Sequence, residues 1–258
     1  MLITQWFFNT LFAATKTVVI LHGLNQEPTM FSDLESFFQE NNFKTHQILL
    51  QGHYEKKNRL EAFKKASKDL WLTQAREQLK KFKNENFYLF GYSMGGLIGS
   101  YLTSTGEISP KKMILMAPAV HMNTYTHLVK LLYPFKFLNL PSDNLKEYRA
   151  NDYTPIPAYK AFYDIYDEFQ DLKSQKAFQV PSIVFIHPED ELVSLEGLRK
   201  DVSKHKAKWS VFALEKCDNA IKSKFHLIYN KAVLGKQCFE KTTTQILAFL
   251  TQPKISKP

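Results

Sequence analysis

Leu89-Phe90-Gly91-Tyr92-Ser93-Met94-Gly95-Gly96 is the stretch on which the reading of this chain turns. It holds the pattern G-x-S-x-G between the apolar run Phe87-Tyr88-Leu89-Phe90 and the small, apolar run Gly96-Leu97-Ile98-Gly99-Ser100-Tyr101-Leu102. That order predicts a strand, a tight turn and a helix. A turn this sharp forces a strained backbone on the serine and leaves no room beside it for side chains, which is why glycines flank it. The hydroxyl of Ser93 would then stand clear of the sheet edge at a helix N-terminus, with the Met94 N–H beside it.

The chain around it alternates strands and helices. Thr17-Val18-Val19-Ile20-Leu21 is a continuous β-branched run of the kind that parallel strands show when both faces are covered. Phe31, Leu34, Phe37 and Phe38 repeat at helical spacing, with Ser32 or Thr29 as caps. A second short strand is expected over residues 47–50. One long amphipathic helix is expected from Leu60 to Phe82, with Ser67 on its apolar face. Residues 112–116, 181–186 and 209–214 read as further strands, and 192–202 and 242–250 as helices. The fold class is therefore α/β, a mostly parallel central sheet with helices on both faces. The rhythm breaks after Pro118, where Leu128, Leu131, Leu132, Phe135 and Phe137 stand among Pro134, Pro141, Pro155 and Pro157. Residues 119–157 are expected to form an inserted cap over a core made of 1–118 and 158–258.

The chain has 258 residues, 44% hydrophobic and 23% charged, enough for one large domain. Its 34 Lys and Arg exceed its 25 Asp and Glu, giving a net charge of +9. The lysines are scattered over helical segments, without the interleaved aromatics of a nucleic-acid groove, so no nucleic-acid partner is expected. Zinc-type and phosphate-loop spacings do not occur in the sequence, so neither metal nor cofactor is expected. Residues 1–15 carry no charge and include Trp6, Phe7, Phe8, Leu11 and Phe12. They lack the basic lead of a signal peptide, and are expected to pack on the domain, with a peripheral membrane foot as the alternative. Two cysteines, Cys217 and Cys238, are too few for a disulfide framework; two reduced thiols in a cytoplasmic protein are the expectation.

In an open α/β sheet, ligands meet the loops at the carboxyl ends of the strands. Those loops carry His22-Gly23 after the first strand and Ser93 after the third. His187-Pro188-Glu189-Asp190 follows the fifth, and His226 lies beyond the last. Nucleophile, carboxylate and imidazole thus come in the chain order Ser, Asp, His, and here the sequence resembles the α/β-hydrolase superfamily. It is most similar to the capped esterases, the monoacylglycerol-lipase-like and carboxylesterase group, from Thr17 to Leu250. The resemblance implies a Ser93–His226–Asp190 triad. Asp190 and Val193 match the family's acid loop, although His187 stands where glycine is common and Glu189 and Glu191 flank the acid. It also implies an oxyanion hole of the Leu24 and Met94 N–H groups, supported by His22, Gly23, Gly91 and Gly95. The expected activity is hydrolysis of a small-molecule ester with an apolar acyl group. A thioesterase, a serine peptidase or a non-catalytic binding protein on the same fold are the alternatives.

Overall fold

The structure is a computed structural model and describes residues 16–83, 85–172, 176–214, 217 and 224–251. Residues 1–15, expected to pack on the domain or on a membrane, lie outside the described residues. In chain order the elements are β1 (Lys16–Leu21), α1 (Ser32–Glu40), β2 (Phe43–Ile48), α2 (Arg59–Phe63), α3 (Lys68–Leu79), β3 (Phe87–Tyr92), α4 (Met94–Ser104) and β4 (Met113–Met116). They continue with β5 (Asn139–Pro141), β6 (Tyr153–Pro155), α5 (Ile156–Asp171), β7 (Ser182–Ile186), α6 (Leu195–Lys204), β8 (Trp209–Ala213), α7 (Lys231–Leu234) and α8 (Lys236–Thr251). Six strands form one parallel sheet in the order β2-β1-β3-β4-β7-β8. The chain is an α/β protein with a parallel sheet covered on both faces.

Alternation along the strands divides the core in two. Val19 and Leu21 of β1 face Trp71, Leu97, Phe162 and Leu198, which come from α3, α4, α5 and α6. Val18 and Ile20 face the other way, onto Leu34 and Phe38 of α1 and Ile246 and Leu250 of α8. Helix α4 lies so deep that all eleven of its residues are buried. It is the element that fixes the depth of Ser93.

Three differences from the sequence reading have a clear local reason. Strand β2 runs over 43–48 rather than 47–50: it is the sheet edge, so Lys44 is exposed and Thr45, His46 and Gln47 are half-buried, and no apolar run marks it. The helix expected over 60–82 is two helices. Ser67 does not lie on an apolar face but caps α3, accepting from the Leu70 N–H at 3.2 Å, and Lys64–Ala66 make the break. Residues 230–238 form the short α7, capped by Asn230, and the first turn of α8, which starts six residues before the expected helix.

Residues 119–157 leave the sheet after β4. They form a 3-10 segment over Thr124–Leu132 and the antiparallel β5–β6 hairpin. The hairpin side is tied to the loop after β1: Glu27 N–H donates to Tyr148 O (2.8 Å) and Ala150 N–H to Asn25 O (3.1 Å). The Asn25 amide donates to Asn151 O and Thr154 Oγ1, both at 2.9 Å. Large exposed apolar side chains gather here, with Leu128, Leu131 and Phe137 more than 60% exposed.

The two cysteines are not free thiols. Cys217 and Cys238 form a disulfide that closes a span of 21 residues containing His226. Spacing could not reveal this, because Cys238 reaches Cys217 only through the docking of α8 on the sheet. Closing a loop of that length restricts the unfolded chain by about 3 kcal/mol. Replacing both cysteines by serine should lower stability by roughly that amount, read as a lower urea midpoint than the oxidised protein; equal midpoints would show that the bridge does not constrain the chain.

Candidate active site

Ser93 sits between β3 and α4 with φ 51° and ψ −116°, a backbone conformation that a residue with a side chain adopts only under constraint. Its N–H donates to Met116 O (3.0 Å), and its carbonyl accepts from Leu97 and Ala119. The turn tolerates nothing larger than hydrogen at its flanks. A Cβ on Gly95 would lie 2.1 Å from the carbonyl oxygen of Leu21, and one on Gly91 would lie 2.7 Å from the Gly96 Cα. Met94 opens α4, so its N–H is among those that a helix start leaves without an intrahelical acceptor.

His226 comes from the loop between β8 and α7, and each of its polar groups is engaged. Nε2 lies 2.9 Å from Ser93 Oγ, and Nδ1 lies 2.9 and 3.0 Å from the two oxygens of Asp190. The backbone N–H donates to Glu191 Oε2 (3.0 Å), and the carbonyl accepts from the Tyr92 hydroxyl (2.8 Å). Burial alone would lower the pKa of His226. The Asp190 carboxylate, by charge and hydrogen bond, with Glu191 and Asp143 behind it, outweighs burial and leaves the pKa raised. A proton on Nδ1, facing Asp190, leaves Nε2 free to accept from Ser93.

The acid loop brings Asp190, not its neighbours, to the imidazole. Asp190 is buried, and its Oδ1 also accepts from the N–H groups of Leu192 and Val193 (2.9 and 2.8 Å). Glu189 is exposed. His187, standing where glycine was anticipated, fits because its ring stacks on Phe225 at 4.3 Å and its Nδ1 accepts from Glu189 N–H.

Leu24 lies on a loop whose peptides are held from several sides. Gly23 O meets His22 Nδ1 (2.9 Å), and Gly23 N–H donates to Gln26 Oε1 (2.8 Å). Leu24 O accepts from the Asn144 amide, and Asn25 N–H donates to His53 Nε2, both at 3.0 Å. His53 was passed over in the sequence because nothing local distinguishes it. It is fully buried, its ring centroid 4.4 Å from that of His22, and its Nδ1 faces the carbonyls of Leu50 and Gln51. To accept from Asn25, His53 must be neutral at Nε2. Burial keeps it so, holding its pKa well below 6.5, and burial likewise lowers His22 to about 4.

Above Ser93 and His226 opens a cavity of about 250 Å³. Leu24, Val129, Leu140 and Phe162 supply apolar wall, and Tyr125, Tyr159 and Tyr163 supply aromatic faces. Its roof comes from the 3-10 segment and the β5–β6 hairpin, its side from α5. Among the described residues no group of His, Cys, Asp and Glu could hold a metal ion. A hydroxyl 2.9 Å from an imidazole, itself backed by a carboxylate, is an arrangement able to pass a proton from oxygen to nitrogen during nucleophilic attack.

Comparison with known proteins agrees with this architecture. Residues 13–212 match the family described as serine aminopeptidase, S33, and the chain belongs to that family. It is thus a serine hydrolase of the α/β-hydrolase fold; the matched span contains Ser93 and Asp190 and ends before His226. Among curated proteins none matches. Among solved structures, a soluble variant of monoglyceride lipase from Saccharomyces cerevisiae, in complex with a substrate analog, is similar with a TM-score of 0.72 and 13% identity, over 92% of this chain and 86% of that one. A monoacylglycerol lipase from Paleococcus ferrophilus gives 0.68 and 15%, over 91% and 94%. The metagenome-derived lipolytic enzymes LipS and LipT are represented at 0.71 and 16%, over 92% and 93%. At such identities these likenesses concern the fold.

The buried imidazole pair couples the site to pH. His22 is neutral in the fold, whereas the unfolded chain takes up its proton near pH 6.5. Its contribution to stability is therefore complete above pH 6.5 and is lost as the pH falls towards 4, to a total of the order of 3 kcal/mol. Urea midpoints measured from pH 7.5 down to 5 should decline, and the slope should flatten in His22→Gln. An unchanged slope in the variant would remove His22 from the account.

Proposed function

We propose that the protein cleaves carboxylic esters through an acyl-enzyme on Ser93. The observation that supports this reading most is the continuous link Ser93 Oγ–His226–Asp190, assembled from three loops at the carboxyl edge of the sheet. Ser93 Oγ attacks the ester carbonyl carbon while its proton passes to His226 Nε2, and Asp190 stabilises the imidazolium that results. The oxygen that becomes negative is received by the N–H groups of Leu24 and Met94, donors of a kind worth about 3 kcal/mol each. His226 then protonates the departing alcohol. Water attacks the acyl carbon and gives a proton to His226, which returns it to Ser93 Oγ as the acyl C–O bond breaks and the carboxylic acid leaves.

Residues 119–157 act as the cap that shapes the acyl site. A cavity of this size holds roughly eight water molecules' worth of volume, enough for a short to medium acyl group. The family description favours one second reading, a serine peptidase on the same residues. The disulfide favours an oxidising compartment over the expected cytoplasm. Among the described residues no helix is long and apolar enough to cross a membrane.

Hydrolysis of p-nitrophenyl esters tests the reading. Activity should be greatest for acyl groups of about four to eight carbons and should fall by on the order of 10⁴-fold or more in Ser93→Ala. Activity on peptide anilides without activity on any ester would favour the peptidase.

The base must be neutral to accept the serine proton, and its raised pKa means that it takes up a proton at higher pH than an ordinary imidazole. The acid limb of kcat/KM should accordingly fall above pH 6.5, where a limb at lower pH would place another group in control.

A further inference from the structure

The cavity over Ser93 is charged oppositely to the molecule around it. The chain carries a net +9, yet among the described residues lining the cavity the only Asp, Glu, Lys or Arg side chains are Asp143 and Glu191. Asp143 is partly neutralised: Lys224 donates to its carbonyl and stands 3.8 Å from its carboxylate. Glu191 has no such partner. Its Oε2 accepts the His226 N–H, which holds the carboxylate against the reacting histidine. Its Oε1 accepts from no protein group, and no basic side chain lies within ion-pair distance, among the described residues.

Aromatic rings line the same space: Tyr125, Tyr159, Phe162 and Tyr163. Burial, as the leading cause, pushes the hydroxyls of Tyr159 and Tyr163 up to about 12, so both rings stay neutral. The face of a neutral aromatic ring attracts an organic cation, and a carboxylate in the same cleft adds to that attraction while repelling an anion. Apolar wall between them suits the methyl or methylene groups that surround such a charge.

We propose that this cavity contains an organic-cation subsite, formed by the free oxygen of Glu191 and the rings of Tyr125, Tyr159, Phe162 and Tyr163, and that the natural substrate is an ester bearing an ammonium group. The subsite rests on the reading of the cavity as an ester-cleaving site and narrows it. Neutral esters enter with less help, and esters ending in a carboxylate are disfavoured. Glu191 thereby acts twice, holding the backbone of His226 and selecting substrate by charge.

Three butyrate esters of similar size test it: butyrylcholine, its uncharged isostere 3,3-dimethylbutyl butyrate, and a butyrate ester ending in a carboxylate. For the wild-type chain, kcat/KM should favour butyrylcholine over the isostere by about tenfold and disfavour the carboxylate ester. In Glu191→Gln, whose amide oxygen can still accept the His226 N–H, the ratio of cationic to neutral ester should fall towards one. The ratio within each protein is the readout, so a general loss of rate cancels. If the variant does not fold, the wild-type ratio at low and at 0.5 M salt decides, because screening should reduce a preference that rests on charge. A wild-type ratio of one or less overturns the proposal, and so does a ratio untouched by both Glu191→Gln and salt. Failure to cleave all three esters while p-nitrophenyl butyrate is cleaved overturns the subsite alone. Failure on p-nitrophenyl butyrate as well overturns the ester reading with it.

Discussion

The turn at Ser93 is the constraint on which the rest of this structure depends. A serine held at φ 51° is unfavourable by itself, and it persists because its N–H, its carbonyl and both neighbouring glycines are locked by surrounding backbone. Gly95 packs against the carbonyl of Leu21, the last residue of β1. That contact presses the start of α4 onto the neighbouring strand, and the loop that follows β1 therefore emerges beside the Ser93 hydroxyl. Pairing of Leu21 with Gly91 sets the register that makes the two loops meet.

From that edge the remaining geometry follows the order of the strands. β4 lies next to β3 and β7 next to β4, so the loop carrying Asp190 leaves the sheet two strands from Ser93. His226 bridges the gap, because its imidazole is long enough to touch the carboxylate with one nitrogen and the hydroxyl with the other. Its backbone is held by Tyr92, the residue before Ser93, and by Glu191, the residue after Asp190. The orientation of His226 is thus set by the same two loops that it connects. The disulfide from Cys217 to Cys238 closes the span that carries it.

A second layer of polar contacts supports the loop after β1. Two neutral imidazoles lie beneath it, and Asn144, Asn151 and Thr154 of the 119–157 segment clasp it from above through Leu24 and Asn25. Because these groups are largely buried, each hydrogen bond spares the desolvation cost of an unpaired polar atom, which makes the network specific in shape. The hairpin half of the segment is therefore held to the core, while the 3-10 half carries its large apolar side chains outward.

Much of this was legible in the chain itself, where a signal was both local and periodic. The run from Thr17 to Leu21 declared a strand covered on both faces, the glycines around Ser93 declared the turn, and the order Ser93, Asp190, His226 pointed to loops on one edge. The edge strand β2 was misplaced because half-exposed polar residues carry no apolar period, and α3 was fused with α2 because Ser67 looks the same from sequence whether it caps a helix or lies on its face. What the sequence determined by itself was the alternation that builds the sheet and the glycine-flanked turn at Ser93, since both depend on residues near one another in the chain. Only the tertiary structure decided that Cys217 meets Cys238, that His53 accepts from Asn25, and that Glu191 Oε2 accepts the N–H of His226. Those contacts join residues 21, 28 and 35 positions apart, and they exist only after the sheet has brought distant loops to a common edge.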